Sequence, residues 1–136
     1  MPVTWTMLVA VGIGGALGAV ARFAVSRQVN LWLGAMIPWG TLAVNVLGSF
    51  LLGFLVAWFR SRTALSPEWQ ALWTVGFLGA FTTFSTFSNE VVGLLQADAS
   101  LRALATIAAN VLLCLGCCWC GVWLARSFGE ALNAAG

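Results

Sequence analysis

Charges are so sparse in this sequence that the intervals between them dictate the fold. No charged side chain occurs in residues 1–21, and none from Gln28 to Phe59. Two further apolar stretches follow, one from Trp69 to Gln96 broken only by Glu90, and one from Ala103 to Ala125. About 20 apolar residues in an α-helix cross the hydrocarbon core of a bilayer. The intervals therefore predict an all-α membrane protein with four spans, at about 4–26, 39–59, 69–96 and 103–125, in a single domain over residues 1–136. Pro38 suits a first helical turn, and Trp5, Trp32, Trp39, Trp58, Trp69, Trp73 and Trp123 fall toward span ends, as an interfacial aromatic belt would.

Composition removes the soluble alternatives. Charged residues make up 7% of the 136 residues, too few for the shell of a soluble domain, which carries about 25%. The net charge of +2 is dispersed, which excludes the clustered basic face of a nucleic-acid binder. The first apolar run lacks a basic flank before it, and Arg22 comes after it, so it is predicted to be a retained span rather than a secretory signal. The connections 27–38, 60–68 and 97–102 are too short for an extramembrane domain. Cys114, Cys117, Cys118 and Cys120 all lie within one apolar run. That is not the loop-spaced pattern of a disulfide framework, and without histidine nearby it favours small, polarizable packing residues over a metal centre.

Orientation is finely balanced. With four spans, Arg60, Arg62 and Arg126 share one side of the membrane, and Arg22, Arg27 and Arg102 share the other. Three against three gives the positive-inside rule almost nothing to act on. Such a chain is able to insert both ways up, and opposite copies can pair as an antiparallel homodimer. Gly14 and Gly18 have GxxxG spacing, suited either to that seam or to packing within one subunit.

Polar residues inside the spans carry the functional signal. Thr41, Asn45 and Ser49 recur every four residues and form one stripe on span two. Buried amides at membrane depth need partners or a wet cavity. In span three, GFLGAFTTFSTFSNE places Thr82, Thr83, Ser85, Thr86 and Ser88 among Phe84 and Phe87. Gly76 and Gly79 weaken the helix, and Thr and Ser compete for its backbone bonds, so a break near the membrane centre is predicted here. A break frees carbonyls for a hard cation. Phe84 and Phe87, three apart, share a face on a following helix, and their positive ring edges beside hydroxyl and amide donors suit a small anion. Glu90 is the only acid in the four spans. A proton-coupled drug or cation exporter would want its carboxylate in an early span. With no histidine and no nucleotide-binding loop, the pattern argues against an enzyme. A non-transporting scaffold, or a protein acting on chromosome compaction, finds no basic patch or soluble domain to support it.

Three stretches, GGALGAVARF (Gly14–Phe23), GTLAVNVLGSFLLG (Gly40–Gly53) and GFLGAFTTFSTFSNE (Gly76–Glu90), together resemble the small fluoride channels of the Fluc, or CrcB, family. The resemblance covers nearly the whole chain. It implies a passive fluoride-selective channel that lowers cytoplasmic fluoride from the plasma membrane, the inner membrane in a bacterium. It implies an antiparallel dimer in membrane lipid, and a structural, untransported sodium ion held by the backbone carbonyls of Gly79 and Thr82. Asn45, Phe84 and Phe87 are the implied pore residues, with Thr41, Ser85 and Thr86 as supporting hydroxyls. Arg22 takes a structural or vestibular role, and Glu90 matches an acidic position after the motif. Span four departs from the family, with Asn110, Cys114 and Cys118 on the face where relatives often carry Ser or Thr. Thiols are weaker donors than hydroxyls.

Overall fold

The computed structural model describes residues 3–34, 36–60 and 65–135, with side chains described through residue 131. Arg62, one of the six arginines in the charge count, lies outside the described residues. Among those described, every regular element is helical. They are α1 (Trp5–Leu33), α2 (Trp39–Arg60), α3 (Pro67–Ala71), a π-helical segment (Leu72–Leu78), α4 (Gly79–Phe81), α5 (Phe84–Gln96) and α6 (Ser100–Ala135).

Local chemistry explains where these helices begin and end. Thr4 caps α1 by accepting the Met7 N–H at 3.2 Å. The helix continues beyond the expected span, through Asn30, and stops where Gly34 takes φ +81° and returns its N–H to the Asn30 carbonyl. Ser66 caps α3, with Pro67 in the first turn. Glu68 follows, and its own backbone N–H and the Thr6 hydroxyl hold its carboxyl below the usual carboxylate range. α6 also overruns its expected span, reaching Ala135.

Three helices, Trp5–Leu33, Trp39–Arg60 and Ser100–Ala131, are long and apolar enough to cross a membrane. Their outer faces are covered with Leu, Val, Ile and Trp, including Leu8, Ile13, Leu17, Leu112 and Trp119, a surface that suits hydrocarbon rather than water.

With little apolar burial to drive association in lipid, close approach of backbones must hold the helices together. The glycines provide it. A side chain at Gly14 would strike the Leu72 carbonyl, and one at Gly18 the Phe77 carbonyl. Hence the GxxxG pair packs within the subunit, against the π-helical segment. Gly76 answers from the other side, where a Cβ would lie 2.8 Å from the Val11 carbonyl and 3.1 Å from the Gly14 Cα. Gly53 and Gly121 seat α2 and α6 against each other, facing the Cys118 and Phe50 carbonyls respectively.

The helix-weakening glycines therefore act differently from the sequence expectation. Gly76 and Gly79 both remain helical, and Gly76 is retained by space rather than by flexibility. The two extended residues come later, at Thr82 (φ −88°, ψ 160°) and Thr83 (φ −153°, ψ 119°). Thr83 then caps α5 by accepting the Thr86 N–H at 3.2 Å.

Candidate functional site

The extended joint is pinned by one side chain. Asn45, on α2, accepts the Thr83 N–H through Oδ1 at 2.8 Å and donates from Nδ2 to the Thr83 carbonyl at 3.0 Å. Both backbone groups of a residue outside any helix are thus satisfied by one amide, which answers the cost of burying them bare. The same Nδ2 donates to Oδ1 of Asn110 on α6 at 3.1 Å. Asn110 in turn donates to the Thr106 carbonyl at 3.1 Å. α2, the joint and α6 are tied together through two amides.

A cavity of about 370 Å³ opens at this junction. Its wall is formed by Asn45, Ser49 and Leu52 from α2, by Thr82, Thr83, Phe84 and Phe87, and by Asn110, Val111, Cys114 and Leu115 from α6. Every one of these side chains is uncharged. Phe84 and Phe87 sit 5.4 Å apart between ring centroids, with planes tilted by 53°. The sharing of a face that their spacing predicted is present, because α5 is helical through both. Their environments differ, however: Phe87 is 7% exposed and Phe84 77% exposed in the single chain. A wall of neutral polar groups and aromatic rings, without a fixed charge, suits weak contact with a small anion.

The structure separates the other expected site residues. Thr41, 3% exposed, lies outside the cavity wall and donates its hydroxyl to Oε1 of Glu90 at 2.8 Å. Glu90 thereby turns toward α2, and its Oε2 is buried without a hydrogen-bond partner. Ser85 and Thr86 are exposed and do not line the cavity, although Thr86 Oγ1 accepts from the Thr83 hydroxyl at 3.0 Å. Arg22 is half-buried on α1, likewise outside the wall. The polar stripe of α2 is thus divided, with Thr41 serving Glu90, Asn45 the joint, and Ser49 the cavity.

At the joint, the Thr83 N–H that an unbroken helix would bring to the Gly79 carbonyl goes to Asn45. The Thr86 N–H that would reach the Thr82 carbonyl goes to Thr83 Oγ1. Gly79 is itself exposed, and the nearest atom to an added Cβ would be the Thr74 carbonyl at 3.7 Å. No group of three or more His, Cys, Asp or Glu able to hold a metal occurs among the described residues.

The sequence implies no anchoring role for Thr83, and it places Asn110 only on the polar face of span four. Thr83 was one of five similar hydroxyls, and only its capping position ahead of a helix distinguishes it. Asn110 carried a readable signal, lying four residues after Thr106 and four before Cys114 on an otherwise apolar helix.

A family model described as "CrcB-like protein, Camphor Resistance (CrcB)" matches residues 9–122. The chain belongs to the CrcB-like family. A relative from Hydrogenovibrio crunogenus, named fluoride-specific ion channel FluC, is 48% identical over 121 residues, covering 89% of this chain and 92% of its own. Another of that name, from Hahella chejuensis, is 50% identical over 119 residues, covering 88% and 94%. A third, from Methylococcus capsulatus, is 50% identical over 128 residues; the match covers 94% of this chain but 56% of that longer protein. With three helices of membrane-crossing length and composition, this CrcB-like chain is a multi-pass membrane protein.

Proposed function

We propose that the chain is a fluoride-selective ion channel that lets fluoride leave the cytoplasm passively across the plasma membrane. The observation that carries the reading is the uncharged cavity walled by Asn45, Asn110 and the Phe84–Phe87 pair, in a chain whose relatives are named fluoride-specific ion channels. The geometry supports passage of a small anion, and the relatives supply the identity of that anion. Passive exit needs no fuel, since an inside-negative potential drives one charge outward with about 2.3 kcal/mol per 100 mV. The chain acts as a conduit rather than an enzyme. The exporter alternative would need a carboxylate on the path, and Glu90 points instead to Thr41.

In this reading residues 69–96 form one span broken near the membrane centre, the fourth beside α1, α2 and α6. Two copies pair antiparallel in lipid. Gly79 and Thr82 would hold the structural sodium, since the N–H groups that would otherwise close their carbonyls are engaged elsewhere. Two carbonyls leave the shell of a hard cation incomplete, and the second copy would supply two more. The ion would fasten the two joints together without itself being transported. Arg22 and Glu90 act from outside the cavity, as framework.

The test is fluoride efflux from liposomes holding purified protein, with the voltage clamped by a potassium shunt and the release read by a fluoride electrode. Fluoride should leave at least a hundredfold faster than from empty liposomes, with chloride held back. Equal rates with and without protein would overturn the proposal.

A further inference from the structure

Two arginines meet at one end of the α2–α6 pair. Arg60 lies in the last turn of α2, and Arg126 lies well inside α6. Gly53 and Gly121 hold the two helices at backbone contact shortly before those positions. Arg60 and Arg126 therefore line one cavity of about 300 Å³, whose remaining wall is apolar, made by Val56, Ala57 and Val122. Both arginines are exposed, and among the described residues no carboxylate pairs with either. Glu130, the only acid on α6, is exposed one turn beyond Arg126 and forms no ion pair with it. Arg60 complements the negative end of the α2 dipole, which gives one of the two charges a local reason. Arg126 has no such task.

Depth and neighbours indicate what this pair meets. The 22 residues of α2 rise about 33 Å, close to the thickness of the hydrocarbon core, so Arg60 emerges at the level of the lipid headgroups. A second cavity, of about 130 Å³, shares Val122 and Arg126 with the first and is completed by Trp119 and Trp123. These indoles are 78% and 64% exposed. Trp119, Val122, Trp123 and Arg126 recur at intervals of three and four, which puts them on one face of α6. That face passes from a guanidinium at headgroup depth to indole rings at the hydrocarbon edge, the same order as phosphate and acyl chain in a phospholipid.

We propose that Arg60 and Arg126 bind the phosphate of one anionic phospholipid, whose glycerol and upper acyl chain lie against Trp119 and Trp123. Guanidinium forks donate paired N–H bonds to phosphate oxygens. A zwitterionic headgroup would bring a further cation beside two that are already unpaired, so a headgroup of net negative charge is favoured. A free phosphate would use the arginines and leave the indoles bare, whereas a lipid covers both. The site is complete within a single chain and takes no part in fluoride passage.

The test is native mass spectrometry of the intact purified protein, given equimolar phosphatidylglycerol and phosphatidylcholine with identical acyl chains. For the first lipid bound per chain, wild type should retain phosphatidylglycerol at least fivefold over phosphatidylcholine. Equal retention overturns the proposal without recourse to any variant. Arg60→Gln with Arg126→Gln should bring the ratio to about one, while Arg102→Gln, at the opposite end of α6, should leave it unchanged. A preference that survives the double substitution, or that Arg102→Gln abolishes equally, counts against this cavity. Trp119→Ala with Trp123→Ala should lower phosphatidylglycerol retention at least threefold, and undiminished retention would sink the lipid assignment. Glycerol phosphate in tenfold excess should fail to displace the lipid; displacement would show that a free phosphate suffices and overturn the choice of a lipid. Lipid retention is read without fluoride, so its failure leaves the channel reading standing, and failed efflux leaves this site standing.

Discussion

At the scale of residues, Asn45 holds together groups that no helix serves. Side-chain hydrogen bonds between membrane helices average only about 0.6 kcal/mol. Backbone groups left bare at a buried joint are costlier, at about 1–3 kcal/mol each. Asn45→Leu, which strands both the N–H and the carbonyl of Thr83, should therefore lower thermal stability in detergent far more than Ser49→Ala does. Equal drops would mean that Asn45 is not the clamp. The phenylalanine pair separates in the same way. Phe87→Ala removes a buried ring and should cost about 2 kcal/mol from the cavity it leaves, because in lipid the packing term survives while the transfer term does not. Phe84, exposed in the single chain, contributes little to its fold. Phe84→Ala should preserve the stability of the chain yet cut fluoride efflux at least tenfold. A variant with normal efflux would place Phe84 off the path.

At the scale of elements, the molecule depends on helices that approach to backbone contact. α1 lies on the π-helical segment through Gly14 and Gly18, and every added atom at either position meets a carbonyl that cannot withdraw. Gly12, on the same helix, has nothing within 4 Å of an added Cβ. Gly18→Leu should abolish monodisperse protein on size exclusion, while Gly12→Leu should leave the elution profile unchanged. This scale also shows what was legible beforehand. The starts of α1 and α2 and the apolar identity of every long helix follow from charge-free intervals and caps, which are local. The Phe84–Phe87 contact follows from helical spacing alone. The exact place of the joint did not follow, because a glycine that weakens a helix in isolation is held helical here by α1 packed on it. The cavity's second amide, Asn110, was visible as a polar residue on an apolar face, but its partner was not, since 65 residues separate it from Asn45.

At the scale of the whole molecule, the proposed antiparallel pair makes orientation itself a testable quantity. The arginine count is three on each expected side, so a small bias should matter. Ala97→Lys with Ala99→Lys adds two positive charges to one connection and should commit the chain to one orientation. Efflux should then fall to the empty-liposome level and return when a copy biased the other way is expressed alongside. Undiminished efflux from the biased variant by itself would exclude an obligate antiparallel pair. Replacing all sodium with a bulky organic cation should lower efflux by weakening the proposed joint-to-joint contact at Gly79 and Thr82. Rates unchanged after exhaustive exchange would remove sodium from the account.

The sequence by itself determined the solvent of this protein, its three long apolar helices and the residues that are too polar for oil. Those are properties of composition and spacing, set by the length of a bilayer and the pitch of a helix. Only the tertiary structure decided which polar group answers which. It separated Thr41 from Asn45, turned Glu90 toward α2, and joined Asn45 to Asn110. A hydrogen bond needs two partners at about 3 Å, and chain folding alone brings residues 38 to 65 positions apart to that distance.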